Sequence, residues 1–119
     1  MILEKGEPSM RLPKPIETYI AAENTGDVDA LSTCFAPNAT VRDEGQVHHG
    51  LPAIKTWKAE TKRKYNHTLK PLHSAERDGA TIVTCEVTGD FPGSPVTLDF
   101  RFLLEAGLEG GAILSLETI

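Results

Sequence analysis

Tyr19-Ile-Ala-Ala-Glu23-Asn-Thr-Gly26-Asp27-Val-Asp-Ala-Leu31-Ser-Thr-Cys34-Phe35-Ala-Pro37-Asn-Ala-Thr40-Val41-Arg42-Asp43 reads as a helix, a turn, a second helix and a strand that ends on a carboxylate. Ile16, Tyr19, Ile20 and Glu23 fall on one face at helical spacing, so Tyr19 is expected to look inward. Gly26 suits a helix stop and Asp27 suits the N-cap of the next helix. Val28, Leu31, Cys34 and Phe35 give that second helix an apolar stripe, and Pro37 is expected to end it. In the short strand from Thr40 to Asp43, alternation puts Asp43 on the same face as Val41.

Upstream, Pro13 and Pro15 are placed to open the first helix, and residues 1–12 read as a flexible extension to a single domain over 13–119. Downstream, Gln46 to His49 can add a short strand, and Gly50 and Pro52 open a third helix that ends near Tyr65. Its inward stripe is Ile54, Trp57, Thr61 and Tyr65. Lys55, Lys58, Lys62, Arg63 and Lys64 lie largely outside that stripe and read as a solvated face. Asp78-Gly79 is a strong hairpin signal between two strands, Asn66 to Glu76 and Ala80 to Thr88. Two more strands, Val96 to Glu105 and Ala112 to Thr118, are expected to join through Gly107, Gly110 and Gly111.

Composition narrows the function classes. The 119 residues suffice for one core, and the apolar share of 39% is ordinary for a globular chain. No apolar run approaches the ~18 residues that cross a bilayer, so no membrane partner is expected. A net charge of −5 argues against a general nucleic-acid binder. Cys34 and Cys85 form no disulfide framework and read as buried thiols, which fits a reducing cytoplasm. No dinucleotide fingerprint, cysteine cluster or metal-spaced histidine pair occurs, so neither cofactor nor metal is expected.

Helix, helix, one or two short strands, helix and four strands make an α+β domain, with helices on one face of a curved antiparallel sheet. This order, Tyr19 with Gly26-Asp27, the Phe35 to Asp43 run and Phe100-Arg-Phe102 together resemble ketosteroid isomerase and its SnoaL-like relatives, within the nuclear-transport-factor-2-like superfamily. The resemblance spans roughly Pro13 to Thr118. It implies a cone-shaped sheet capped by three helices, with a ligand pocket inside the cone, and it implies a homodimer.

The resemblance also places two catalytic groups. Asp43 maps onto the isomerase's general base, a carboxylate that takes a proton from carbon beside a carbonyl and returns it elsewhere. Burial among apolar groups would disfavour its charged form. Tyr19 maps onto the tyrosine that donates a hydrogen bond to the developing oxyanion. In ketosteroid isomerase a protonated aspartic acid joins that tyrosine. An ungapped match on Phe100-Arg-Phe102 puts Leu98 at that acid's position, with Asp99 one residue away and therefore on the opposite sheet face.

The pocket wall is then expected from Val41, Ile54 and Trp57, from His67, and from Leu98, Phe100 and Phe102. His67 and His73 are expected on one face of the long strand, and His48 and His49 near Asp43. The expected partner is a small apolar organic molecule. The expected function is cofactor-free isomerisation or lysis by proton transfer, or else ligand binding or dimeric interaction without catalysis.

Overall fold

The computed structural model describes residues 12–105 and 111–119. The proposed extension at 1–12 lies almost wholly outside the described residues, as do Gly107 and Gly110 of the proposed last turn. The elements run α1 (Lys14–Thr25), a 3-10 helix (Val28–Thr33), β1 (Phe35–Asp43), β2 (Gln46–His49), α2 (Leu51–Tyr65), β3 (Thr68–Arg77), β4 (Ala80–Thr88), β5 (Val96–Glu105) and β6 (Ala112–Thr118). The six strands form one sheet in the order β2-β1-β6-β5-β4-β3. The α+β architecture, with helices over a curved sheet, is the one expected.

Three details depart from expectation. The second helix is a single 3-10 segment, not an α-helix: Asp27 caps it by accepting from Ala30 N at 3.2 Å, and it ends at Thr33. The strand then starts at Phe35, five residues early, so Pro37 lies inside it. Pro37 sits within the register shift between Phe35 and Thr40, where its missing N–H breaks no regular ladder bond. Finally, β1 pairs with β6 in parallel, with Val41 opposite Leu116, while every other pairing among the described residues is antiparallel.

Local chemistry explains the framework. Gly26 takes a left-handed conformation (φ 76°) and its N–H closes α1 onto the Ala22 carbonyl. Asp78 and Gly79 both have positive φ, as the tight β3–β4 hairpin requires. Asn24 ties the end of α1 to β3: its amide donates to the Leu69 carbonyl at 3.0 Å and its oxygen accepts from Leu69 N at 2.8 Å.

The core lies between the helices and one sheet face. Ile16, Tyr19 and Ile20 of α1 and Ile54 of α2 meet Val83, Cys85, Phe100, Phe102, Ile113 and Leu116 of the sheet. On β5, alternation sends Leu98, Phe100 and Phe102 inward opposite Cys85, Val83 and Thr81. Asp99 faces the other way, opposite Thr84, whose hydroxyl donates to its carboxylate at 2.5 Å. Both cysteines are buried and free, and burial pushes the Cys34 thiol up to about 12 and Cys85 to about 11. Both stay neutral and serve as packing.

Candidate functional site

A cavity of about 290 Å³ opens between α1, α2 and the inner face of the sheet. Each helix sends two or three side chains into it. Tyr19 and Glu23 lie one turn apart on α1, and Trp57, Lys58 and Thr61 project from α2. Leu98 and Phe100 supply the sheet wall, and Asp43 enters from the end of β1. His67, just before β3, completes one side.

Asp43 and Tyr19 therefore line the same cavity, in different settings. Tyr19 is 2% exposed and its ring meets Phe35 and Phe102 edge-on, both at 5.8 Å. Burial raises its pKa well above the ordinary value, and the nearby Glu23 and Asp43 carboxylates add to that, so the phenol keeps its proton. Asp43 is only partly buried, contrary to the enclosed apolar setting expected for it. It closes a tight turn in which Glu44 and Gly45 both have positive φ. One carboxylate oxygen accepts from the Trp57 indole N–H at 3.1 Å, which fixes its orientation. Trp57 itself meets the His48 ring, at 5.7 Å, and the Lys58 ammonium, 3.9 Å from its ring centre.

Among the other expected wall residues, Trp57, His67, Leu98 and Phe100 line the cavity. Val41, Ile54 and Phe102 do not: they are at most 1% exposed and pack one layer deeper, Phe102 against Tyr19. His67 and His73 do not share a face. A register shift between Pro71 and His73 breaks the alternation, leaving His73 exposed. His67 stacks on Tyr65 at 4.9 Å, and burial pulls its pKa below the usual 6.5. His49 is exposed, with its ring 2.9 Å from the Thr40 hydroxyl. No cluster of metal-ligating side chains occurs among the described residues.

The largest correction concerns Lys58. Expected on a solvated face, it is 4% exposed and makes a hydrogen-bonded ion pair with Glu23, itself 1% exposed. Burial lowers the Lys58 pKa against the opposing pull of Glu23. The signal was present in the spacing. Lys58 stands four residues after Ile54 and three before Thr61, as Glu23 stands four after Tyr19. Two inward helix faces thus carried opposite charges. The second oxygen of Glu23, Oε2, has no hydrogen-bond partner among the described residues.

The His67 environment has a pH consequence. Its folded pKa is depressed, so between 6.5 and that lower value the unfolded chain binds more protons than the folded one. The stability contributed by neutral His67 is complete above pH 6.5 and is lost as pH falls through that window. Thermal melts of wild type and His67→Gln across this range should diverge, the wild type losing more on acidification. Parallel curves would show that His67 is not the group responsible.

The chain matches the model of the SnoaL-like domain over residues 16–115. It is 39% identical to a candidate polyketide cyclase of Sinorhizobium meliloti, covering 91% of this chain and 95% of that one, with a TM-score of 0.83. A Catenulispora acidiphila protein with a ketosteroid isomerase-like fold, solved with trimethylamine, is 23% identical over 92% of this chain and 86% of its own, with a TM-score of 0.72. A nuclear-transport-factor-2-like protein from Cytophaga hutchinsonii shares the fold at 15% identity and a TM-score of 0.72, covering 96% and 93%. No curated protein matches the sequence. The helix-capped curved sheet, its inner cavity and the match over residues 16–115 make this chain a member of the SnoaL-like domain family.

Proposed function

We propose that the cavity binds a small, largely apolar carbonyl compound and moves a proton between two of its carbons without a cofactor. The observation that carries this is that one partly buried carboxylate and one protonated phenol line the same cavity. Asp43 takes a proton from carbon beside the ligand carbonyl. The electron pair moves onto the carbonyl oxygen, where the Tyr19 hydroxyl donates a hydrogen bond. The protonated Asp43 then returns the proton at another carbon. Trp57 holds the carboxylate in place through its indole N–H. Similarity to the candidate polyketide cyclase supports a cyclic or poly-carbonyl substrate, and the cavity volume suits one or two rings. Deuterium exchange at carbon, followed by NMR on a panel of small cyclic enones and ketones, tests the reading.

Leu98 favours a second reading. An aliphatic side chain lines the cavity at the position that the resemblance assigns to the isomerase's second acid. The oxyanion would then have one strong side-chain donor from that set, which fits a module that binds without turnover. Tight binding with no exchange across the panel supports this alternative.

Under either reading we propose a homodimer through the outer sheet face, where Ile82, Thr84, Asp99 and Arg101 form a mixed, half-buried surface. Light scattering at micromolar concentration should give twice the chain mass; a monomer would overturn this assembly.

A further inference from the structure

The Glu23–Lys58 pair has a chemical opening that the proton-transfer scheme does not use. Both side chains line the cavity and both are at most 4% exposed. Lys58 spends one donor on Glu23 Oε1 and holds its ammonium over the Trp57 ring. An ammonium has three donors, so others remain for a ligand. Glu23 Oε2 is a buried acceptor with no hydrogen-bond partner among the described residues, an arrangement costly to leave unmet.

The charge of the wall narrows what can meet that acceptor. Among the described residues, Glu23, Asp43 and Glu44 put three carboxylates around the cavity, and Lys58 puts one ammonium there. An anionic ligand would meet repulsion from most of the wall, and a ligand that only accepts hydrogen bonds would leave Oε2 unpaired. A neutral hydroxyl satisfies both partners at once: its O–H donates to Oε2 and its oxygen accepts from Lys58 Nζ.

We propose that Glu23 and Lys58 are the specificity element of the cavity and that they select ligands bearing a neutral hydroxyl, a phenol or an enol, in addition to the carbonyl. This rests on the small-molecule reading of the cavity and names its ligand class more narrowly. Asp43 and Tyr19 act on the carbon skeleton and carbonyl, while the buried pair reads the hydroxyl.

Three matched probes separate the hydroxyl from size and from the carbonyl: para-hydroxyacetophenone, its methyl ether and acetophenone. Isothermal titration at slightly acidic pH keeps the phenol neutral. Wild type should bind the hydroxy compound about tenfold or more tightly than either of the others, as a hydrogen bond to a charged acceptor implies. In Glu23→Gln, an amide NH₂ can replace the Oε2 acceptor and the preference should fall to about twofold or less. Should that variant fail to fold, Glu23→Met with Lys58→Met removes the pair without stranding a charge, and the hydroxy compound should become the weakest of the three.

Equal binding of the three probes by wild type overturns the proposal. So does a preference that survives in both variants, or no binding of any probe at millimolar concentration. Net proton release on binding, read from buffer-dependent heats, would mean that Lys58 captures a phenolate, and overturns it as well. The titration reads binding alone, so its outcome does not depend on turnover. Selective binding without carbon exchange would therefore defeat the catalytic reading and leave this one standing. Exchange without selectivity would do the reverse.

Discussion

Lys58→Met should lower folding stability by about 3–5 kcal/mol, whereas adding Glu23→Met to it should return stability to within about 1–2 kcal/mol of wild type or above. The single change leaves the Glu23 carboxylate at 1% exposure with its ammonium partner gone. Few alternatives can offset that loss, because Oε2 already lacks a hydrogen-bond partner among the described residues. The double change strands no charge, and two thioether chains of similar length can fill the same space against Tyr19 and Trp57. Urea unfolding of the three proteins gives both numbers. A loss below about 1 kcal/mol in Lys58→Met would mean that the pair is solvated in solution, as exposed pairs are. A double variant as unstable as the single one would mean that packing of the lysine stem, not charge, is what the position supplies.

This pair also marks where sequence reading stopped. Short-range signals were legible because their physics is local. Gly26 with Asp27 placed the stop of α1 and the cap that follows, and Asp78-Gly79 placed the hairpin. Alternation on β5 separated Leu98 and Phe100 from Asp99, because a strand has only two faces. Lys58 reads as solvated because it stands in a basic run largely outside the apolar stripe, and a lysine is rarely this buried without a partner. Its partner lies 35 residues away on another helix, a relation visible only if both helix faces are read together. The parallel β1–β6 pairing depends on which ends of the chain meet, and nothing local to Phe35–Asp43 encodes that. The same holds for the register shift that turns His73 away from the side of His67.

Asp43→Asn should abolish carbon-proton exchange, by at least the factor of about 10²–10⁴ that a positioned general base supplies. It should do so with a stability change of no more than about 1 kcal/mol. The asparagine carbonyl can still accept from the Trp57 indole, so the turn at the end of β1 and the placement of the side chain are retained. An amide is too weak a base to take the proton. Tyr19→Phe should separate from it kinetically. The phenol keeps its proton throughout the assay range, so its part is to donate, and the donated bond strengthens as charge develops on the ligand oxygen. Its loss should lower kcat by about 10²-fold while KM changes little. The ring should remain seated between Phe35 and Phe102, because phenylalanine preserves both edge contacts. Exchange rates of wild type and both variants, with thermal melts of each, distinguish the outcomes. A strongly destabilised Asp43→Asn would make Asp43 a structural partner of Trp57. Unchanged exchange in that variant would move the base elsewhere in the cavity, with His67 the nearest alternative by chemistry: it lines the same wall, and burial keeps it neutral near pH 7. A Tyr19→Phe variant that loses affinity but not kcat would make the phenol a ground-state contact, and the single-donor oxyanion scheme would fall with it.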